Sequence, residues 1–117
     1  MIEVTVREHL NSELAESGIK CYLERPKAEP AEYILIERTS GGETNRICSA
    51  TFAVQSYAQS MYRAASINEL AKAAMETLTT ETNVSSCRLN SDYNYTDVES
   101  KQYRYQATFD IYYIKET

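Results

Sequence analysis

The last segment of the chain alternates between apolar and polar residues across positions 102–114. One side of the segment is apolar and aromatic, with Tyr103, Tyr105, Ala107, Phe109, Ile111 and Tyr113. The other side carries Arg104, Gln106, Thr108 and Asp110. A period of two is the side-chain period of a β-strand, so this segment fits a strand in a sheet that is covered on one face. The rest of the chain must supply further strands and the layer that covers them.

Two other segments have the period of an α-helix. Apolar residues recur every fourth position near the start of the chain, at Ile2, Val6, Leu10 and Leu14, which predicts a helix over 2–17 that ends before Gly18. A second helix is predicted to begin near Ser60, with an apolar stripe made of Ile67, Leu70, Ala71, Ala74, Met75 and Leu78. Ser66 and Glu69 have the spacing of a capping box, so Ser66 is a candidate N-cap.

Shorter segments at 19–24, 33–38, 45–57 and 84–90 are predicted to be strands. Gly41-Gly42 lies in a polar stretch between the second and third of them, which predicts a hairpin turn at the two glycines. The predicted order is α-β-β-β-α-β-β. This order indicates a single α+β domain over residues 1–117, with a mostly antiparallel sheet and two helices packed on one face.

Charge and hydropathy narrow the classes of partner. The chain has 117 residues and a net charge of −5, which disfavours a nucleic-acid or anionic-membrane surface. Its apolar runs are far shorter than the roughly 20 residues needed to span a bilayer. Its N-terminus mixes charged and apolar residues, unlike a signal peptide, so a cytoplasmic chain is expected. Cys21, Cys48 and Cys87 are then expected to be free thiols.

Chemistry-bearing residues do not gather into a recognisable pattern. His9 is the only histidine, and Glu13 one helical turn away could orient it as a base. No nucleophile shares that segment, so His9 is interpreted as an exposed helix residue. Asp92, Asp97 and Glu99 lack the glycine and the ligand spacing of a calcium loop. We therefore expect no enzymatic activity, no catalytic residue, no cofactor and no metal.

The layout resembles the small tail-terminator and tail-completion proteins of long-tailed bacteriophages and prophages, which join the head to the tail. The resemblance covers nearly the whole chain. It consists of an amphipathic N-terminal helix, a proline-containing loop (ERPKAEPAEY), a strand (YILIER) and a glycine turn. These are followed by a strand that runs into a helix (ICSATFAVQSYAQS, MYRAASINELAKAAMETL) and by a tyrosine-rich strand (YRYQATFDIYY).

This resemblance implies a structural role. The protein would form a homo-oligomeric ring, usually a hexamer, that caps the tail-tube protein and meets the head-connector protein. DNA would pass through the lumen without specific binding, which suits an acidic chain, and no membrane would be involved. The expected location is the virion tail, and the host cytoplasm during assembly.

The subunit interface is expected at two polar segments, 39–46 and 90–101. The second is long for a loop and carries aromatic residues, which are typical of protein interfaces. Its acidic residues would pair with basic residues of a neighbouring subunit. The candidate interface residues are Arg38, Glu43, Arg46, Tyr93, Tyr95 and Asp97.

Two alternatives remain at the level of sequence. A head-completion connector protein has a similar size and layout. A small ligand-binding or enzymatic domain on a ferredoxin-like sheet would need a convergent polar pocket, for which the sequence offers no cluster of histidine, cysteine or carboxylate residues.

Overall fold

The computed structural model describes residues 1–115. It contains two α-helices, α1 (Ile2–Glu13) and α2 (Met61–Glu76), with a 3₁₀ turn after each, at Ala15–Ser17 and Leu78–Thr80. Its strands are β1 (Cys21–Tyr22), β2 (Tyr33–Thr44), β3 (Ile47–Ala58), β4 (Val84–Asn94) and β5 (Tyr103–Ile114). The order of helices and strands along the chain is the predicted one.

The strands form one five-stranded sheet in the order β1-β2-β3-β5-β4. Only the short β1 pairs in parallel, with β2, and all the other neighbours are antiparallel. Helix α1 packs on β1 and β2, and α2 packs on β3 and β5, so both helices lie on the same face. The predicted α+β fold with a mostly antiparallel sheet is therefore confirmed. We call the other side of the sheet the uncovered face.

The core lies between the helices and the covered face. Helix α1 contributes Val6 and Leu10, both fully buried, because its apolar residues recur once per turn and form one stripe. From the sheet, β3 and β5 contribute Phe52 and Ile111. Gly18 closes the segment that follows α1 with a φ of 77°, in the left-handed region that favours glycine.

Helix α2 differs from its prediction at two positions. Its N-cap is Ser60, whose Oγ accepts a hydrogen bond from the Arg63 amide, and the prediction of Ser66 is wrong. Ser66 lies inside the helix and donates to the Tyr62 carbonyl. The apolar stripe is buried as expected except at Leu70, which is 41% exposed. Leu70 lies roughly a quarter of a turn from the centre of the stripe.

The predicted turn at Gly41-Gly42 is also wrong. Both glycines lie within β2, opposite Ala50 and Ser49, and the hairpin turns at Asn45 and Arg46. These two residues have φ values of 51° and 71°, the positive values required by the two-residue turn that matches strand twist. Gly41 is needed for close packing instead. A Cβ at this position would meet the Arg38 guanidinium and lie 2.7 Å from the Ser49 carbonyl oxygen.

The two hairpins are longer than predicted. Strand β2 continues past Arg38 to Thr44 through a bulge between Arg38 and Ser40. Strand β4 continues to Asn94 instead of ending near residue 90, with bulges between Val84 and Ser86 and between Leu89 and Ser91. The predicted 90–101 loop is therefore strand in its first half.

Candidate interaction surface

The predicted interface residues separate into two groups. Glu43 and Arg46 lie at the β2–β3 hairpin and Arg38 lies midway along β2, whereas the group made of Tyr93, Tyr95 and Asp97 lies toward the opposite end of the sheet. Strands of this length extend about 40 Å, and the longest dimension of the molecule is 45 Å. A contact between the two groups would therefore have to join different copies of the protein.

Two charged residues of the first group, Arg38 and Glu43, have side-chain partners within the chain. Arg38 forms an ion pair with Glu3 of α1 at 3.8 Å, and its Nε donates to the Ser40 carbonyl. Glu43 forms an exposed ion pair with Lys115 at 3.2 Å. Arg46 is exposed at the turn. Exposed pairs of this kind contribute little stability and exchange readily with other partners.

Asp97 organises its own loop. Its Oδ1 accepts hydrogen bonds from the amides of Glu99 and Ser100, at 3.1 and 3.5 Å. Hydrogen bonding from Ser100 is the main cause that holds the pKa of Asp97 below its ordinary value. The Asp97 carboxylate therefore stabilises the conformation of its own loop and is less available to pair with a basic residue of a neighbouring subunit.

Tyr93 and Tyr95 lie on the uncovered face and not in a free loop. Their rings meet edge to face at 5.7 Å, and the Arg104 guanidinium stacks 4.3 Å from the Tyr95 ring. Arg104 also lies over Tyr57, which stacks on Tyr33 at 4.7 Å. We call these five residues (Tyr33, Tyr57, Tyr93, Tyr95 and Arg104) the tyrosine–arginine face. It crosses the sheet from β2 to β4.

Hydrogen bonds link the exposed part of this face to its buried centre. The Tyr57 hydroxyl accepts from Arg104 at 2.8 Å and donates to Gln55 at 2.9 Å. Gln55 donates to Gln106 at 2.9 Å, and Gln106 donates to the Tyr93 hydroxyl. Both glutamines are buried, although they lie on the face without helices. The network fixes the rotamers of Tyr93 and Arg104 before any partner binds.

Tyr33 and Tyr57 are only 2% and 3% exposed, because the loop between β1 and β2 folds over them. Arg25 of that loop donates to the Tyr57 hydroxyl, and the Tyr33 hydroxyl donates to Glu29. Burial is the main cause that raises the pKa of Tyr33 to about 12. The neutral phenol is therefore the form present at ordinary pH.

The hairpin end of the uncovered face is apolar. Ile47 and Ile114 are opposite each other on β3 and β5, and Tyr112 lies two positions before Ile114 on the same side of β5. About half of each side chain is exposed. A groove of about 310 Å³ is lined by Ile47, Tyr112 and Gly42. Gly42 has no side chain to fill it. We call Ile47, Tyr112 and Ile114 the apolar patch. The alternation predicted for this strand describes its polar side only as far as Asp110, so it does not reveal Tyr112 and Ile114, which continue that side.

His9 differs from its interpretation as an exposed residue, because it is buried between α1 and the end of α2. Its Nδ1 lies 2.8 Å from Glu81 Oε2, and its Nε2 lies 2.9 Å from Thr77 Oγ and 3.1 Å from the Ala74 carbonyl. Both ring nitrogens therefore have hydrogen-bonding partners within the chain.

This arrangement of threonine, histidine and glutamate has the connectivity of a nucleophile, a base and an orienting acid. Thr77 Oγ, however, also lies 2.9 Å from both Glu13 Oε1 and the Ala74 carbonyl, and the His9 side chain is only 3% exposed. The cluster therefore ties the two helices together. Its partners come from residues 74–81, too distant in the sequence to be paired with His9 by inspection.

Comparison with known proteins gives no family for the chain: no protein-family model matches it, and no curated protein matches it. Within residues 1–115, no helix is long and apolar enough to cross a membrane. In the same part of the chain, no three His, Cys, Asp or Glu residues are arranged to hold a metal ion.

Proposed function

We propose that the protein is a structural subunit that binds other proteins and copies of itself, of the kind that forms the terminating ring of a phage or prophage tail. The observation that carries the proposal is the uncovered face of the sheet. It combines the tyrosine–arginine face at one end with the apolar patch at the other.

The composition of this face favours protein binding. Tyrosine and arginine are the residues most enriched at the energetic centres of protein interfaces, because they provide large contact areas and polar groups together. The hydrogen bonds from Tyr57 through Gln55 and Gln106 to Tyr93 hold that surface in one arrangement. A partner then binds without the entropic cost of ordering these side chains.

A ring also suits the shape of the subunit. In a ring each copy offers two different surfaces to its two neighbours, and rotation closes the set. Here the two ends of an elongated molecule carry different surfaces, one rich in tyrosine and arginine and one aliphatic. The ring would cap a tail tube and meet the head connector, and its lumen would pass DNA. The net charge of −5 is consistent with passage without tight binding.

The test is the mass of the purified full chain in solution, measured by light scattering over a range of concentrations, together with electron micrographs. We expect ring-sized particles at high concentration. Tyr93→Ser/Tyr95→Ser should shift assembly to higher concentration by about tenfold or more, because truncating a tyrosine at the energetic centre of an interface costs about 2 kcal/mol or more.

The matched control is Tyr62→Ser, which removes an exposed tyrosine from α2 on the other side of the molecule. It should assemble like the parent chain. Thermal melting of the dilute variants separates loss of assembly from loss of folding. A parent chain that remains a monomer at all concentrations and shows no rings would contradict the proposal.

A further inference from the structure

Strand β4 forms one edge of the sheet, and its outer side is open. It pairs only with β5, so within residues 1–115 no strand lies beside its outer edge. Its ladder with β5 has bulges between Val84 and Ser86 and between Leu89 and Ser91, which leaves a regular stretch at Ser86–Leu89. An open edge is a template for pairing with another chain. Because the regular stretch is short, it suits a short extended segment better than a long strand.

A groove of about 320 Å³ lies beside this stretch, between α2 and the covered face of β4. Helix α2 packs on β3 and β5, and it leaves the side chains of Cys87 and Leu89 on β4 incompletely covered. The register places both side chains on the covered face, opposite Ile111 and Phe109. Leu89 is 50% exposed. An apolar surface therefore lies directly beside the open edge of the backbone.

The other wall of the groove is one side of α2. Residues three and four positions apart are neighbours on a helix, and the wall follows that spacing. Ala73 is exposed in the middle of this wall, and its short side chain leaves the groove open. We call this site the β4 groove; the residues used to define it are Glu69, Lys72, Ala73, Glu76, Cys87 and Leu89.

The rim of the β4 groove is negatively charged. Among the described residues that line it, Lys72 is the one basic residue, and it forms ion pairs with Glu69, at 2.8 Å, and with Asp92 of β4. Glu76 is exposed and forms no ion pair or hydrogen bond with another described residue. Three carboxylates thus surround one ammonium group, and Glu76 is free to pair with a basic side chain. Complementary charge selects a basic partner.

We infer that the β4 groove binds an extended, basic segment of a partner protein. The segment would pair with Ser86–Leu89 as an added strand, and its backbone hydrogen bonds would provide affinity for any sequence. Side chains alternate along a strand, so every second residue of the segment would face the groove. Aliphatic residues opposite Cys87 and Leu89 would fill the groove, and a lysine or arginine two positions before or after them would meet the acidic rim.

Peptide binding at the β4 groove requires neither self-assembly nor the uncovered face, so it goes beyond the proposed function and is tested on the dilute full chain. The probe is the peptide Lys-Thr-Val-Thr-Val-Thr-Lys with acetylated and amidated ends, titrated into the isotope-labelled chain. We expect saturable amide chemical-shift changes at Ser86–Leu89 and at Ala73. The peptide Lys-Thr-Thr-Thr-Thr-Thr-Lys has the same length and charge. It should bind about tenfold or more weakly, because a hydroxyl replaces a methyl group at each position that faces the groove.

Two variants alter the site at exposed positions and leave the core intact. Ala73→Phe places a ring where the aliphatic side chains would bind, so it should weaken binding by about tenfold or more. Glu76→Lys puts a positive charge on the rim and should weaken binding by about twofold to fivefold. The matched controls, Ala28→Phe and Glu16→Lys, make the same changes at exposed positions that do not line the groove, and they should bind like the parent.

Thermal melting of each variant separates loss of binding from loss of folding. No saturable shift at millimolar peptide, equal binding of the two peptides, or full binding by Ala73→Phe would overturn the inference. Shifts at Ser86–Leu89 that follow the chain's own concentration without peptide would mean that a second copy occupies the edge, and would overturn it as well. None of these outcomes bears on whether the parent chain forms rings, so the proposed function stands or falls on its own test.

Discussion

The two faces of the sheet are buried by different means. The covered face is closed by helices over aliphatic and aromatic side chains such as Phe52, Val54 and Ile111. The uncovered face buries Gln55, Gln106 and Tyr57 beneath long polar side chains and one loop, with hydrogen bonds between them. The first arrangement depends on apolar area and shape, and the second depends on every polar partner being present. The covered face therefore stabilises the fold, and the uncovered face presents a fixed surface.

The sharpest test of the covered face is Phe52→Ala. Phe52 is fully buried in the middle of β3, between β2 and β5 and under the helices. Removing a buried phenyl ring leaves a cavity and should lower the free energy of unfolding by about 3–5 kcal/mol. Denaturant unfolding of the dilute chain measures it. A loss below about 1 kcal/mol would show that the core does not lie where the structure places it.

His9 is one of the buried polar residues within the helix-covered layer. His9→Leu keeps the side-chain volume similar but leaves Glu81, Thr77 and the Ala74 carbonyl without their shared partner. We expect a loss of about 1–3 kcal/mol in the free energy of unfolding. The control is Glu8→Leu, because Glu8 lies exposed on the same helix, and it should be nearly neutral. Asn11 is not suitable as a control, because its side chain accepts a hydrogen bond from the Cys21 amide. Equal effects of both would show that the His9 bonds are not structural.

On the uncovered face, Tyr57→Phe removes one oxygen and leaves the ring. That hydroxyl joins Arg25, Arg104 and Gln55, so its loss should cost about 1–2 kcal/mol of stability. It should also loosen Arg104 and thereby weaken assembly. Tyr112→Phe is the matched control, since Tyr112 is half exposed on the same face. A Tyr57→Phe protein as stable as the parent would mean that the network is not what fixes this face.

Leu70→Ala should have a much smaller effect than its place in an apolar stripe indicates. The sequence pattern predicts a loss of about 2–5 kcal/mol, the range for a buried leucine. Because Leu70 is 41% exposed, we expect less than about 1 kcal/mol. Leu78→Ala, at a fully buried position, supplies the contrast. Equal losses for the two variants would show that Leu70 is covered in solution.

The free energy of unfolding should stay constant near neutral pH and should fall only above about pH 9. Burial under the helices raises the pKa of Cys21 from 9.0 to about 12. Burial on the uncovered face is the main cause that raises the pKa of Tyr33 from 10.0 to about 12. The folded state then holds these protons more tightly than the unfolded state. Their contribution is complete below the unfolded pKa and is lost as the pH rises toward 12. Stability that stays constant from pH 9 to pH 12 would contradict this burial.

The sequence was sufficient for the order of elements, because periods of two and of about 3.6 residues differ clearly in segments such as 102–114 and 67–78. It misplaced the hairpin turn because a glycine pair and an Asn-Arg pair lie within a few residues of each other. Gly41 is needed because the Arg38 side chain and the Ser49 carbonyl leave no room for a Cβ. That crowding arises from the pairing of β2 with β3 and cannot be read from the local sequence.

The sequence singled out two residues of the surface that we propose for interaction. Tyr93 and Tyr95 stood out as aromatic residues in a polar segment, but Arg104, Tyr57 and Tyr33 become their neighbours only through the strand order. The sequence also gave no means of pairing His9 with Glu81. Contacts that depend on which strands are adjacent, or on two helices meeting, are not encoded in local periodicity.

The place of β5 between β3 and β4 in the sheet has a consequence for how the chain folds. The β2–β3 and β4–β5 hairpins each form from neighbouring segments, whereas the β3–β5 ladder, including the pair Phe52–Phe109, joins segments on either side of α2. Local hairpins close in microseconds, and contacts between distant segments must overcome a larger loss of chain entropy. Folding should therefore be limited by the docking of two preformed halves along the β3–β5 seam, and only that step brings Arg104 over the Tyr57 ring.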